Sequence, residues 1–263
     1  MKTLSIIVPI TGSPNKLWLR KLMELMEPNS EKLEVILVGD VDEQQAKGLK
    51  YIKTKGNRSL ARNLGIAASK GEYILFLDSD QYMPKSLLLE LTKIMDQNFD
   101  AAVIPEKFIG LTIWGRASAI WKQAIQRIDQ ADSCLPRLYS RRALEKIGPF
   151  RSELTLLEDY ELYLRAVKAG LKITLLKSPL IHLEPSHITD YLNKGYTYAG
   201  SLSRSIKALG IKNIMRKYSK APLILIEALR SSRGIFLKLA LLSLLFIKFI
   251  GLTSQILRRL SER

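Results

Sequence analysis

Two aspartates stand directly after a run of apolar residues. Tyr73–Leu77 is apolar throughout, and Asp78 and Asp80 follow it one residue apart. An uninterrupted apolar run predicts a strand buried on both faces, as in the middle of a parallel sheet. Open α/β sheets bind ligands at the carboxyl ends of their strands, and a hard divalent cation carrying a diphosphate suits two acids there. The alternative is a solvated turn, and Asp40-Val41-Asp42 shows the same spacing.

Two arginines precede this run. Arg58 and Arg62 lie four residues apart, near the start of a helix predicted over Ser59–Ser69 with Ser59 as its N-cap. Two guanidinium groups at a helix amino terminus form a positive region that matches a phosphate in size. Taken singly, each arginine is better explained as an ordinary surface charge.

Together these residues resemble the inverting family-2 glycosyltransferases with the GT-A fold. The stretch from Ala61 to Asp80 is similar to that family's Ala-Arg-Asn-x-Gly, Gly-Glu-Tyr-Ile and Leu-Asp-Ser-Asp sequences. A second similar segment is Gly148-Pro149-Phe150 followed by Leu157–Arg165, and a third is Ile181-His182. The resemblance covers roughly residues 3–200, and three motifs in the expected order are more specific than any one of them.

The resemblance implies transfer of a sugar, with inversion, from a UDP- or GDP-linked donor to a lipid-linked or glycan acceptor. It also assigns roles to individual residues. These are Pro9 and Asp40 at the nucleoside, Arg62 at the donor phosphates with Arg58 in support, Asp78 at the ribose or a metal-bound water, Asp80 as a direct ligand of Mg²⁺ or Mn²⁺, and His182 as a further metal ligand.

By the same resemblance, Asp159 is the catalytic base and Glu158 lies beside it. The positive end of a helix dipole stabilises a carboxylate at the helix start, and a like charge next to it raises the proton affinity of the pair. That combination suits removal of a proton from a hydroxyl. Two acids that only complement a helix dipole are the alternative. If the acceptor is an already ionised lipid phosphate, Asp159 serves mainly to position it.

The remaining pattern alternates strands with helices, which predicts an α/β fold with a mostly parallel, Rossmann-like sheet flanked by helices. Strands are predicted over Ser5–Ile10, Glu34–Val38, Tyr73–Leu77, Asp100–Ile104, Lys172–Leu176 and Leu180–Leu183. Helices are predicted over Leu17–Met26, Ser59–Ser69, Ser86–Met95 with Ser86 as its cap, Ile109–Gln126, Arg142–Ile147, Glu158–Ala169 and Thr189–Ala208.

Residues 1–208 are therefore predicted to form the GT-A domain, and residues 209–263 a basic, apolar helical tail. Residues 201–263 hold thirteen Lys or Arg and two Asp or Glu, so +11 of the formal +16 charge lies there. A basic, apolar tail is typical of attachment to an anionic membrane surface. Within Gly234–Leu252, Lys238 and Lys248 share one side of a helix, which favours a helix lying in the interface. A spanning helix and a helix packed on the domain are the alternatives.

Nucleic acid is not an expected partner, because the basic residues alternate with Leu, Ile and Phe instead of stacking aromatics. The single Cys134 forms no internal disulfide, and Met1-Lys2-Thr3 leads into a strand without a signal peptide. We therefore expect the cytoplasmic side of a membrane. Two other functions stay open: a sugar-nucleotide nucleotidyltransferase, faintly suggested by Thr11–Lys16, and a catalytically inactive, membrane-attached binding module of the same fold.

Overall fold

A computed structural model describes residues 2–11, 16–26, 31–40, 49–97, 99–130 and 135–261. Asp42, Cys134 and residues 12–15, on which parts of the sequence interpretation depend, lie outside the described residues. The strands are β1 (Leu4–Thr11), β2 (Leu33–Asp40), β3 (Lys50–Lys53), β4 (Tyr73–Phe76), β5 (Gln81–Tyr82), β6 (Ala101–Val103), β7 (Glu106–Ile109), β8 (Pro136–Ser140), β9 (Ile173–Leu175) and β10 (Leu180–Leu183). The helices are α1 (Lys16–Met26), α2 (Arg58–Ala68), α3 (Lys85–Met95), α4 (Ile113–Ile128), α5 (Arg141–Ile147), α6 (Glu158–Lys168), α7 (Ile188–Leu209), α8 (Ile211–Tyr218), α9 (Ala221–Ser231) and α10 (Ile235–Ser261).

The central sheet has seven strands in the order β3-β2-β1-β4-β8-β6-β9. Strand β1 pairs in parallel with β2 and β4, and β6 pairs in parallel with β9. Strand β8 runs antiparallel to both β4 and β6. The α/β prediction with a mostly parallel sheet is confirmed, and the predicted central strand is the fourth of the seven. A further sheet of three strands has the order β5-β10-β7.

The two faces of the central sheet are covered by different helices. Ile6 and Leu75 belong to a core cluster that includes Trp18 of α1 and Leu87 of α3. On the neighbouring positions, Ile7 and Ile74 belong to a second cluster with α2, α5 and α6. Since successive strand residues point to opposite faces, burial of both faces explains why β4 is apolar at every position and β1 is apolar except at Ser5 and Thr11.

Three predicted helix starts are wrong in detail. The helix predicted from Ile109 begins at Ile113, because Ile109 ends β7. Helix α2 is capped by Asn57, whose side chain accepts a hydrogen bond from the Leu60 N–H at 2.9 Å, while Ser59 lies inside the helix and is buried. Helix α3 follows Pro84 and has no side-chain cap, so Ser86 does not cap it. Asn is as good an N-cap as Ser, and sequence alone did not choose between residues two positions apart.

The chain divides into two compact units. The first comprises Met1–Glu106, Leu135–Glu153 and Glu158–Ile181, and it contains the seven-stranded sheet. The second comprises Lys107–Cys134, Leu154–Leu157 and His182–Arg263. Its core joins α4, α7, α9 and α10 through Ala117, Tyr191, Ile224 and Leu241, among others. The helices beyond residue 208 thus pack with α4 and α7, and the domain boundary at residue 208 stays a prediction.

Trp114 and Trp121 of α4 are seven residues apart, which places them on one face of the helix, and both pack against this helical core. Helices α7 and α10 approach closely where Gly195 meets Gly251, since a Cβ added to Gly251 would lie 3.1 Å from the Gly195 Cα. No helix within the described residues is both long enough and apolar enough to cross a bilayer.

Candidate active site

The two aspartates after β4 lie in a turn that is fixed by its own residues. The Asp78 N–H donates to Gln81 Oε1 at 2.9 Å, and the Gln81 N–H donates back to the Asp78 carbonyl at 3.0 Å. Gln81 is fully buried, and its carbonyl accepts a 2.7 Å hydrogen bond from Trp18 Nε1. The half-buried Asp80 is therefore held in a defined position by the backbone of the turn.

Arg62 is a buried arginine that several carboxylates of the first unit share. It is 1% exposed, and its guanidinium contacts three carboxylates: Asp78 Oδ1 at 3.1 Å, Asp159 Oδ1 at 2.5 Å and Glu158 Oε1 at 3.4 Å. The rings of Phe150 and Phe76 lie 5.1 and 5.9 Å from the guanidinium carbon. A charge so deeply buried is tolerated because it is paired several times over.

The Arg62 guanidinium faces the acids of α6 and the β4 turn, and its Nη atoms bind carboxylates in this structure. The role at the donor phosphates that the resemblance assigns to Arg62 stays a prediction. Arg58 likewise pairs with Glu158, at 3.1 Å from Nε to Oε1. The two arginines do lie close together, as their spacing predicts, but they face carboxylates in this structure.

Asp78 is held from its other side by Arg137, which sequence reasoning missed. Arg137 Nη1 lies 3.2 Å from Asp78 Oδ2, and its Nη2 and Nε lie 2.6 and 2.7 Å from Glu106 Oε1. Burial lowers the pKa of Arg137, but Glu106, Asp78 and Asp159 raise it by more, so the guanidinium stays charged. Both oxygens of Asp78 are thereby bound to guanidinium groups.

Glu158 and Asp159 begin α6, as the sequence predicts. Glu158 is 4% exposed at its side chain, and burial, followed by the charge of Asp159, raises its pKa to about 7. Asp159 is 36% exposed, so a hydroxyl from solvent reaches its carboxylate. The preceding residue, Leu157, has a φ of +61°, a conformation that is uncommon for leucine and concentrated at functional sites.

Pro9 and Asp40 lie at the edge of the sheet where β1 and β2 end. In register, Pro9 is opposite Val38, and Thr11 is opposite Asp40. Asp40 is exposed. Gly39 is needed between the strands, because a Cβ there would lie 1.9 Å from the Ile10 carbonyl oxygen. Parallel strands β1, β2 and β4 end at the same edge, so the nucleoside assignments are compatible with the Asp78 turn, but they stay predictions.

The metal assignments also stay predictions. Across the described part of the chain, no group of three or more His, Cys, Asp or Glu side chains is arranged to hold a metal ion. His182, at the end of β10, is 7% exposed, and its ring centroid lies 5.2 Å from that of Phe108. Asp80 suits Mg²⁺ or Mn²⁺, because such ions bind through one or two carboxylates plus substrate phosphates. Since arginines occupy both oxygens of Asp78, that residue fits a role through water better than direct ligation.

The fold and these acids define an α/β protein of the GT-A type, with an Asp-Ser-Asp turn at the centre of its sheet and a Glu-Asp pair at a helix start. A family model described as "Glycosyl transferase family 2" matches residues 5–141, more than half of the chain. The chain belongs to this family.

Relatives are similar over part of their length. The chain is 29% identical over 119 residues to the poly(ribitol-phosphate) beta-N-acetylglucosaminyltransferase TarP of Staphylococcus aureus, covering 40% of this chain and 36% of TarP. It is 26% identical over 112 residues to an uncharacterised glycosyltransferase of Haemophilus influenzae, covering 37% of this chain and 44% of that protein. These matches thus span less than half of either relative.

Two solved structures show the same fold. Staphylococcus aureus TarS residues 1–349, in complex with UDP-GlcNAc, aligns with a TM-score of 0.53 at 16% identity, covering 95% of this chain and 81% of that one. Glucosyl-3-phosphoglycerate synthase from Mycobacterium tuberculosis, in complex with Mn²⁺, UDP and phosphoglyceric acid, aligns with a TM-score of 0.52 at 17% identity. The alignment covers 77% of this chain and 78% of that one. At these identities the likeness concerns the fold alone.

Proposed function

We propose that the chain is a metal-dependent, inverting glycosyltransferase that uses a UDP-linked sugar. The observation that carries this proposal is the Arg62 cluster, in which one buried guanidinium joins the Asp78 turn to the half-exposed Asp159. The donor end and the base end of the predicted reaction are thereby held in one rigid arrangement. Family membership supports the reaction type, and the UDP complexes of two proteins with the same fold favour UDP over GDP.

In this reaction the acceptor hydroxyl oxygen bonds to the anomeric carbon as the bond from that carbon to the diphosphate oxygen breaks. The electron pair leaves with the nucleotide diphosphate, and the hydroxyl proton passes to Asp159. Arg62 fixes one oxygen of Asp159, which leaves the second oxygen to accept that proton. Attack from the face opposite the departing diphosphate inverts the anomeric configuration.

Asp80 is the residue that would hold Mg²⁺ or Mn²⁺. When bound, such an ion neutralises the charge that develops on the departing diphosphate. The turn fixed by Gln81 and Trp18 sets the backbone position from which the Asp80 carboxylate extends. Arg137, which is itself paired with Glu106, fixes the Asp78 carboxylate within that turn, and this favours a fixed contact with the ribose or a metal-bound water.

For the acceptor we propose a glycan or a lipid-linked sugar. The name of TarP, which describes transfer to poly(ribitol-phosphate), supports a polymeric acceptor. The basic, apolar residues 209–263 support a reaction at the cytoplasmic side of a membrane, to which this segment attaches without crossing it. An ionised lipid phosphate would need no base, and Asp159 would then position it.

The test is release of UDP from a panel of UDP- and GDP-sugars, with and without Mn²⁺. We expect Asp80→Asn to lower metal-dependent turnover at least a hundredfold, because the ion supplies several kcal/mol of charge stabilisation. Asp159→Asn should retain UDP-sugar binding and lose transfer to a hydroxyl about 10²–10⁴-fold. The matched control is Asp96→Asn, because Asp96 is an exposed aspartate at the end of α3. It should change neither the metal-dependent turnover nor the transfer to a hydroxyl.

Full turnover by Asp80→Asn would rule out the metal role, and full transfer by Asp159→Asn would rule out the base. Release of pyrophosphate from a nucleoside triphosphate and a sugar phosphate would instead identify a nucleotidyltransferase. Binding of UDP without any turnover would favour the inactive binding module.

A further inference from the structure

One face of α10 is both exposed and apolar. Five residues recur along it at alternating spacings of four and three, and each is 45–63% exposed: Ile235, Leu239, Leu242, Phe246 and Phe249. Phe236 and Ile250 flank this row, at 77% and 39% exposure. We call these seven residues the α10 face. Spacings of four and three residues place side chains on one side of a helix.

The exposure of the α10 face does not mean that α10 is unpacked. The opposite side of the helix carries Ala240, Leu241 and Leu244, which are buried in the core of the second unit. Gly251 continues that side and lies against Gly195 of α7. The helix is therefore already anchored, and seven large apolar side chains remain on its outer side. Single exposed apolar residues are normal on soluble proteins, whereas a continuous face of this kind marks an interaction surface.

Basic residues border this apolar face. Arg233 and Lys238 are exposed at its amino-terminal end. Helix α8 shows the same combination, because Ile211, Met215 and Tyr218 are 52–67% exposed at spacings of four and three residues. Lys212 and Arg216 are exposed beside them. Apolar residues flanked by Lys and Arg are typical of helices that lie in the interface of an anionic bilayer.

Lys248 does not belong to this border, which corrects the expectation that Lys238 and Lys248 mark one lipid-facing side. Lys248 is half-buried, and its Nζ lies 5.2 Å from the centre of the Tyr191 ring of α7. Burial, and then the charge of Lys122, lower its pKa to about 8. Lys248 thus packs inward, and the charges available to lipid headgroups lie elsewhere on the second unit.

Charge decides between the two occupants that would suit such a face. A second copy of the chain would bring together two segments that each carry +11 between residues 201 and 263, and like charges oppose that association. An anionic lipid surface complements the same charge, at about 1 kcal/mol for each basic residue near the headgroups.

We propose that α10 lies parallel to an anionic bilayer, with the α10 face inserted at the boundary between headgroups and acyl chains. This inference rests on the proposed membrane location, and it names the protein surface and the class of lipid that would account for that location. Ile235 to Ile250 span about 24 Å along a helix, and in this orientation they lie along the membrane. Arg233 and Lys238 then contact the phosphates of anionic lipids.

The test is sedimentation of the whole chain with vesicles of phosphatidylcholine and phosphatidylglycerol, and with vesicles of phosphatidylcholine alone. We expect binding to the mixed vesicles and at least tenfold weaker binding without the anionic lipid. Phe246→Ser and Phe249→Ser should each weaken binding about tenfold, because each removes an inserted aromatic side chain. Leu89→Ser, a leucine of α3 that is 62% exposed, is the matched control and should bind like the wild type.

UDP release in solution separates this inference from the enzymatic proposal, since these substitutions lie outside the Arg62 cluster. Unchanged vesicle binding by the Phe246→Ser, Phe249→Ser double variant, with normal UDP release, would overturn the inference and leave the enzymatic proposal intact. A dimer in analytical ultracentrifugation that the double variant dissociates would overturn it in favour of a second copy of the chain. A wild-type protein that binds the mixed vesicles but releases no UDP from any donor would count against the enzymatic proposal alone.

Discussion

The two units of the molecule depart from the usual distribution of residues in opposite ways. The first unit buries charge: Arg62 is 1% exposed and Glu158 is 3% exposed. The second unit exposes apolar side chains, of which Phe236 is 77% and Phe246 63% exposed. Charged residues are rarely buried unless paired, and extended exposed apolar faces mark binding surfaces. Each departure costs stability, and each lies where we propose that its unit binds: substrates in the first unit and a lipid surface in the second.

The largest expected effect is in the buried charges. Arg62→Met would leave three carboxylates without their shared partner, and we expect it to lower the free energy of unfolding by about 3–5 kcal/mol. The matched control is Arg142→Met, because Arg142 also lies 3.1 Å from a carboxylate, that of Asp100, but its side chain is 75% exposed. An exposed pair contributes about 1 kcal/mol or less. Urea denaturation measures the free energy of unfolding of both variants. Equal losses in the two variants would show that burial does not strengthen the Arg62 pairs.

A smaller effect tests the inner side of α10. Gly251→Ala would place a Cβ 3.1 Å from the Gly195 Cα, so the two helices would have to separate. We expect a loss of about 1–3 kcal/mol, although replacing glycine by alanine in a helix otherwise stabilises it. Asn193→Ala, on the exposed side of α7, is the control and should be neutral or stabilising. Thermal unfolding measures the difference, and a stabilised Gly251→Ala protein would contradict the close approach of α7 and α10.

The most gradual effect concerns pH, because it is spread over several pH units. Because the pKa of Glu158 rises from 4.5 to about 7 on folding, the folded state keeps a proton that the unfolded state has lost between these values. Stability should therefore fall as pH rises through this window, by at most about 1.4 kcal/mol per pH unit. Glu158→Gln should remove this fall, whereas the exposed Glu145→Gln should follow the wild type. Parallel profiles for Glu158→Gln and the wild type between pH 4.5 and 7 would refute it.

Much of the first unit could be predicted from the sequence because its strands β1, β2 and β4 are largely apolar and are separated by helices. The central strand, the start of α6 and the residues of β10 lie where the sequence places them. The antiparallel strand β8 was not predicted, and with it Arg137 was missed. Arg137 pairs with Glu106 and Asp78, which lie 31 and 59 positions away in the sequence. Local sequence patterns do not indicate partners at such distances. The signal available was a charged residue between Pro136 and Leu138, in a short segment typical of a strand.

The sequence by itself determined which chemical groups are present: the acids after the central strand, the acids that begin α6, the two arginines of α2 and the basic, apolar segment after residue 200. The tertiary structure decided which of them meet. Arg62 contacts carboxylates instead of solvent because the fold brings residues 78, 158 and 159 around one helix position. Likewise α10 is apolar on several sides, so only its packing against α4 and α7 selects the inner side and leaves the α10 face outside. Both outcomes depend on contacts between distant residues, which composition and periodicity do not specify.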